Sequence, residues 1–484
     1  MVICFYGGIL FVTAQHKDDF QDYRNKVKSE FREFSKSKKT AFENFRKSRN
    51  EEFATFLATS WKDYAAFSLK KVIERPEPVT PVVYDNRKPQ GAPAELPVPQ
   101  LILPKSVIKD VPLTVVPVKE LKPNEKLSWV QFYNTNCPIH NLSGENIRLA
   151  DLSEQAISKC WKELSTERYD VWIDDCVRLK TELNLCDWAY VKLVENISAH
   201  LFAGSPDIQA VVSTFLLVQS GYDVRLCRMG QNLKMLVHPD NQLFQLGYFV
   251  INGKKYYPTQ PMKQGQSIQT YSFEFSEKSI PVRMAMTKYP KFAVNESEKY
   301  TYTSNGWKDM SPFSVFVNPS VIRFYKDYPQ CEWTLYGQAA LSPEFKEQVV
   351  SVLRKQIVGK SQQEAANLLI NFVQYGFAYK TDYEQFGYEK PFFIDENFYY
   401  PFNDCEDRAI LYAKLVKELL GIEVVYLHYP EHLATAVLFT EQVEGDFVTI
   451  DQKRYIVCDP TYIGAPIGQA MPQFKSVKAQ VIRL

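Results

Sequence analysis

The sequence predicts a multidomain chain that mixes helices and strands. Three observations carry this reading: a periodic aromatic stripe near the N-terminus, a helix followed by successive strands near the C-terminus, and an internal repetition linking middle to end. With 484 residues, 45% of them hydrophobic, there is material for two to four domains, each with its own core. The net charge of +1 provides no global field for nucleic acid or an anionic membrane, so any partner must be recognised locally.

Residues 1–14 read as a signal peptide. The run Ile3–Val12 has the length of an h-region, and Thr13-Ala14-Gln15 offers small residues at a cleavage point, although no Lys or Arg precedes the run. It is too short to span a bilayer. Export to the periplasm or outside the cell is expected, with no transmembrane segment once the leader is removed. If Cys4 leaves with it, a free Cys405 leaves seven other cysteines, an odd number. Their spacing matches no metal or disulfide framework, and no metal or cofactor is expected.

Residues 15–75 carry aromatic pairs displaced by eleven residues: Phe20/Tyr23, Phe31/Phe34, Phe42/Phe45, Phe53/Phe56 and Tyr64/Phe67. Eleven residues is close to three helical turns, so both columns stay on one face of a long amphipathic helix that docks on a partner or on its own protein. Its Lys and Arg are set against Glu and Asp, which argues against nucleic acid. Residues 76–125, with Pro76 through Pro123 at short intervals, read as an extended polyproline linker. Leu101-Ile102-Leu103 and Leu113–Val116 are short enough to lie as strands on a neighbouring domain.

From residue 126 the chain reads as globular. Ser205-Pro206-Asp207 through Gly221-Tyr222-Asp223-Val224 aligns without a gap, two hundred residues earlier, with Cys405-Glu406-Asp407 through Gly421-Ile422-Glu423-Val424. Ile251-Asn252-Gly253-Lys254 likewise resembles Ile450-Asp451-Gln452-Lys453. Residues 126–265 are therefore expected to be a degenerate copy of residues 341–484. Ser205 stands where Cys405 stands, Leu233 falls near the His432 position, and Thr259 or Gln260 near the Asp459 position, so the first copy lacks a base. Between the copies, the alternation in Tyr271–Phe275 and Ser314–Val317 predicts a β-rich insert or small sandwich over residues 266–340.

The C-terminal copy carries the chemistry. Asn403 or Asp404 can cap a helix whose apolar residues recur from Ala409 to Leu420 and which Gly421 ends, placing Cys405 at its tip. A helix N-terminus lowers a thiol pKa, whereas Glu406 and Asp407 in the first turn oppose it, so a histidine cation is needed. His428 and His432 are the candidates. His432 opens the strand Leu433–Phe439 beside small residues that leave room for substrate. Asp459, ending the strand Arg454–Cys458, is placed to orient the imidazole, while alternation turns Cys458 to the other side.

The motifs Asp404-Cys405-Glu406-Asp407-Arg408-Ala409, His432-Leu433-Ala434-Thr435-Ala436-Val437 and Asp459-Pro460-Thr461-Tyr462 resemble the transglutaminase-like superfamily, which shares the papain-like core. The resemblance covers roughly residues 341–484. With Tyr379-Lys380-Thr381-Asp382 and Gln385-Phe386-Gly387 upstream, it is similar to the bacterial exported branch. It implies an α+β fold with the nucleophile's helix packed on an antiparallel sheet. It also implies Cys405 as nucleophile, His432 as base and then acid, and Asp459 as orienter. The backbone amide of Cys405 is a candidate oxyanion donor, and Gln374 a second, against the alternative of a solvated helical glutamine.

The expected function is a cysteine acyl-transfer enzyme, a peptidase or amidase acting through a thioester on a protein, peptide or cell-wall amide. A protein-crosslinking transglutaminase, and a cell-envelope scaffold with a vestigial triad, are the alternatives. The N-terminal helix is expected to meet a partner, and nucleic acid is not.

Overall fold

The computed structural model describes residues 7–59, 61–66, 81–87, 92–98, 100–102, 126–142, 144, 146–260, 262, 265–303 and 313–484. These form two compact units, residues 1–60 with 146–167 and residues 61–145 with 168–484. Within the described residues helices and antiparallel sheets are mixed in an α+β arrangement.

The first unit is built on α1 (Gly7–Leu57) and α2 (Glu154–Thr166). Residues 7–14 of the expected leader form the head of α1, and residues 1–6 lie outside the described residues. Helix α2 starts where the Ser153 hydroxyl accepts the Ala156 N–H. Its buried Ile157, Cys160, Trp161 and Leu164 recur at helical spacing, as do Phe53, Ala54 and Leu57 on α1. The Phe53 and Trp161 rings lie 4.9 Å apart, and Trp161 Nε1–H donates to Asn50 Oδ1 at 3.0 Å.

Two expectations change here. The helical segment does not run to residue 75: α1 stops at Leu57, and Trp61–Ala65 forms β1, whose Tyr64 packs on an apolar cluster of the middle sheet. A sheet edge has claimed Tyr64 from the helical repeat, and Phe67 lies outside the described residues. The expected domain 126–265 is also divided, because α2 belongs to the first unit.

The second unit opens with β1, β2 (Gln100–Ile102) and the hairpin β3–β4 (Leu127–Phe132, Thr135–His140). Then come α3 (Tyr169–Glu182), α4 (Asp187–Leu201), α5 (Pro206–Gln219), β5 (Val224–Met229), β6 (Asn232–Val237), β7 (Phe249–Ile251), β8 (Lys254–Pro258) and β9 (Ser267–Tyr271). No sandwich occupies the described part of 266–340. The segment gives β9 to the preceding sheet, forms the ribbon β10–β11 (Tyr300–Thr303, Ser314–Val317), and enters α6 (Pro319–Lys326) and α7 (Trp333–Gln338). The alternation in Tyr271–Phe275 serves as a strand only to Tyr271. Asn318 capping Ser320, with Pro319 at the first helical position, turns the chain from ribbon to helix.

After α8 (Pro343–Phe345) and α9 (Ser351–Ile357) come α10 (Gln362–Gly376), β12 (Ala378–Tyr379), α11 (Asp382–Phe386), β13 (Phe402–Asn403) and α12 (Cys405–Leu420). Strands β14 (Glu423–Tyr429), β15 (His432–Leu438), β16 (Phe447–Ile450), β17 (Lys453–Cys458) and β18 (Gln480–Arg483) complete the chain. The two six-stranded sheets follow the same path, β1-β9-β5-β6-β8-β7 and β2-β18-β14-β15-β17-β16. Each is preceded by a helix that a left-handed glycine ends, Gly221 at φ +92° and Gly421 at φ +67°. Each also closes a hairpin with two positive-φ residues, Asn252-Gly253 and Asp451-Gln452. The sheets differ at the edge, where β1 runs antiparallel to β9 but β2 parallel to β18.

Described parts of the proline-rich segment 76–125 are docked rather than free, while Leu113–Val116 lies outside the described residues. Tyr84 N–H donates to Ile463 O at 2.9 Å, Leu96 N–H to Phe447 O at 2.8 Å, and Leu101 pairs with Val481. Leu96 is buried in the core beneath β14, β15 and β17. These bonds satisfy the backbone N–H groups of Tyr84 and Leu96.

Candidate active site

Helix α12 begins at the predicted place. Asp404 is its N-cap residue, and Asp407 in the first turn accepts the Asp404 N–H at 3.2 Å and the Phe392 N–H at 2.9 Å. Cys405 is therefore the first helical residue, and it is buried.

The ladder between β15 and β17 ends at Thr435–Cys458, because the chain turns at Asp459 and Pro460 has no N–H to offer. Strand β15 thus projects beyond its neighbour, and the backbone N–H of Leu433 comes near enough to the Cys405 thiol to favour its charged form. His432 is 3% exposed, with Nε2 2.9 Å from Asp459 Oδ2 and the Phe474 ring stacked on it at 4.9 Å. The second Asp459 oxygen accepts the Thr461 N–H at 2.9 Å. This arrangement assigns the imidazole proton to Nε2 and leaves Nδ1, which has no hydrogen bond, with its lone pair.

The sequence-predicted residues are thus brought together unequally. His432 and Asp459 form a direct buried pair. Cys405 lies against the residue after His432, yet its thiol donates to Glu406 Oε2 at 3.3 Å and makes no hydrogen bond to the imidazole. His428 instead packs edge-on against Trp333, and Cys458 is buried against the Tyr412 hydroxyl of α12.

Gln374 is neither an oxyanion donor nor a solvated glutamine. Its amide nitrogen donates to the carbonyls of Tyr462 (2.8 Å), Ala465 (3.0 Å) and Asp459 (3.4 Å), while its oxygen accepts the Gly464 N–H at 3.2 Å. At 2% exposure it is a clamp on the loop that carries Asp459.

The sequence reading placed Glu406 and Asp407 beside the thiol but missed the buried acidic cluster they join. Asp382, Glu389, Asp404, Glu406 and Asp407 are all buried. Their oxygens, with the Cys405 sulfur, make three overlapping groups whose members lie within 4.8 Å of one another: Asp404/Cys405/Glu406, Asp382/Glu389/Glu406 and Asp382/Asp404/Asp407. The carboxylate oxygens suit a hard divalent cation, and both Asp404 oxygens lack a hydrogen-bond donor. The nearby cation is Arg408, buried over the Tyr379 ring and held by Asn403 Oδ1 and the Phe377 carbonyl. The one signal in the sequence was Thr381-Asp382-Tyr383-Glu384, a capping box that fixes Asp382 at the first position of α11.

Electrostatics follow from this packing. Burial raises the Cys405 thiol well above its usual value, Glu406 and Asp404 raise it further, and the Leu433 N–H opposes them. Burial and neighbouring carboxylates raise Asp404 and Asp407 in the same way, and burial lowers Arg408 to about 10. The opposition between helix tip and carboxylates is thus resolved in favour of the neutral thiol. Glu406→Gln is expected to move the pH profile of Cys405 alkylation by iodoacetamide to lower pH, because one of the charges opposing the thiolate is removed. An unmoved profile would mean that the Glu406 charge does not oppose the thiolate. A divalent cation among the carboxylates would act in the same direction.

At the matching place in the first sheet, Ser205 precedes α5, and Leu233, Thr259 and Gln260 line a cavity of about 380 Å³ with Lys192 and Glu195. Thr259 donates its hydroxyl to Glu195, and Leu233 N–H donates to Asp207 Oδ1 at 2.6 Å. None of the three positions carries an imidazole or a thiol.

Comparison of the chain with protein-family models, curated proteins and solved structures finds no match.

Proposed function

We propose that residues 341–484 are a transglutaminase-like, papain-related cysteine acyl-transfer domain of an exported protein, acting on a peptide or cell-wall amide, and that residues 126–265 are its degenerate copy. The observation that carries this reading is the buried His432–Asp459 pair, which leaves Nδ1 unpartnered beside Leu433, the strand residue whose N–H lies near the Cys405 thiol.

Rotation of the thiol away from Glu406 hands its proton to His432 Nδ1. The thiolate then attacks the substrate carbonyl, and the oxyanion is met by first-turn amides of α12, beginning with that of Cys405. The imidazolium, steadied by Asp459, protonates the leaving amine, and water or a second amine resolves the thioester. Hydrolysis needs nothing further, whereas crosslinking requires an amine to reach the same thioester.

The test is turnover of peptide and cell-wall amide libraries by wild type, Cys405→Ala and His432→Ala. Each variant is expected to lose about 10⁴-fold or more in kcat. Equal turnover by wild type and Cys405→Ala would remove the enzyme reading. The hydrogen bond between Cys405 and Glu406 favours a second reading, a binding protein with a silent site. It predicts that no member of either library is turned over, and that Glu406→Gln leaves the protein inactive.

A further inference from the structure

We propose that the exposed face of α1 between Arg24 and Arg49 docks on an anionic lipid surface. Phe31, Phe34, Phe42 and Phe45 are 68%, 60%, 56% and 66% exposed, although the next pair in the same repeat begins with Phe53, which is 1% exposed in the packing of α1 with α2. The stripe is therefore of the kind that this helix buries where it can, and it is uncovered over most of the segment.

Charge identifies the occupant. The acids that offset the basic residues of this region lie mostly at its ends, at Asp18, Asp19, Asp22, Glu51 and Glu52. From Arg24 to Arg49 there are ten Lys and Arg against three Glu, a local excess of seven in a chain whose net charge is +1. A second copy of α1 would bring the same excess, so like charge opposes self-pairing. An anionic surface is complementary.

The third column of the eleven-residue repeat distinguishes a lipid surface from a protein groove. Val27, Lys38 and Arg49 share that column, and Lys38 follows Phe34 by four residues and Phe31 by seven, which puts the cation inside the aromatic face. In a protein groove Lys38 would be buried inside the aromatic face, whereas Arg49 is already paired with Glu52 at 3.0 Å. At a lipid interface the Phe rings enter the acyl boundary while the long cationic side chains reach the phosphates. Lys38 lies over the Phe34 ring at 5.4 Å and Arg46 over Phe42 at 5.5 Å, with their charged ends beside the apolar face. The eleven-residue period drifts by only about 20° per repeat, so the rings from Phe31 to Phe45 form a nearly straight line of roughly 20 Å that a flat surface meets all at once.

The experiment is co-sedimentation of the full chain with vesicles of phosphatidylcholine alone and of equimolar phosphatidylcholine and phosphatidylglycerol. Binding is expected only to the anionic vesicles and is expected to fall with added salt. Phe31→Ser with Phe42→Ser should weaken it by about tenfold or more. Neutralising Lys38 to Gln should weaken it by about fivefold. These side chains are exposed, so circular dichroism of the variants should match wild type. Three results would overturn the proposal: equal binding to the neutral vesicles; no vesicle binding with single-stranded DNA retained instead; or no vesicle binding with a dimer that the Phe substitutions dissociate.

Discussion

Asp459→Asn is expected to lower kcat for amide substrates by about 10⁴-fold, although the substitution preserves shape. The reason lies in how the two carboxylate oxygens are used. One accepts the Thr461 N–H at 2.9 Å and the other faces His432 Nε2 at 2.9 Å. An asparagine has one acceptor and one donor at its end. The Thr461 N–H is a fixed backbone donor, so the amide oxygen must remain there and the NH₂ group turns to the imidazole. Nε2 must then accept, which puts the ring proton on Nδ1, the nitrogen needed to take the thiol proton. Asp459→Ala imposes no tautomer and is expected to lose less activity. Steady-state kinetics of the two variants on one substrate decides the matter, and a larger loss in Asp459→Ala would show that charge rather than tautomer is what Asp459 supplies.

Local rules made part of this site readable and left the rest invisible. Helix α12, its Gly421 end and the strands carrying His432 and Asp459 were legible because capping, helical spacing and alternation are short-range signals that the fold obeys. The sequence repetition is accompanied by two sheets that share one strand order. The carboxylates that come from elsewhere in the chain were not legible. Asp382 opens the short helix α11 and Glu389 follows it, and nothing in their spacing says that they fold back onto Glu406. Gln374 was misread because a polar residue on a helix looks solvated until the loop it clamps is known. The proline-rich strap reads as a linker because its partners are hundreds of residues away, as for Ala94, whose N–H is held by Asp446 at 3.0 Å. Tyr64 kept its place in the aromatic repeat yet became a strand residue, since a sheet edge outweighs helical periodicity over five residues.

The loop that orients His432 also explains where the fold should be least tolerant of change. Gly445 and Gly468 lie back to back, and a Cβ on Gly445, at φ +143°, would sit 2.3 Å from the Gly468 Cα and 2.7 Å from its oxygen. Both neighbours are backbone and cannot swing away. Gly468 is itself fixed, its N–H donating to Val457 O at 2.7 Å and its carbonyl accepting the Asp446 N–H at 2.8 Å. Asp446 in turn accepts the Ala470 N–H at 3.0 Å and Lys475 at 2.8 Å, on either side of Phe474, the ring stacked on His432. Gly445→Ala must therefore displace the segment that positions Phe474 against His432, and it is expected to cost about 3 kcal/mol of stability from strain and overpacking together. Gly421→Ala supplies the comparison. Its φ of +67° is also left-handed, but nothing lies within 4 Å of an added Cβ, so only the conformational cost of about 1 kcal/mol applies. Urea denaturation of the two variants separates the effects, with the larger drop in midpoint and a fall in kcat expected for Gly445→Ala alone. Equal midpoints would mean that the Gly445–Gly468 approach adds nothing to the strain of a left-handed residue.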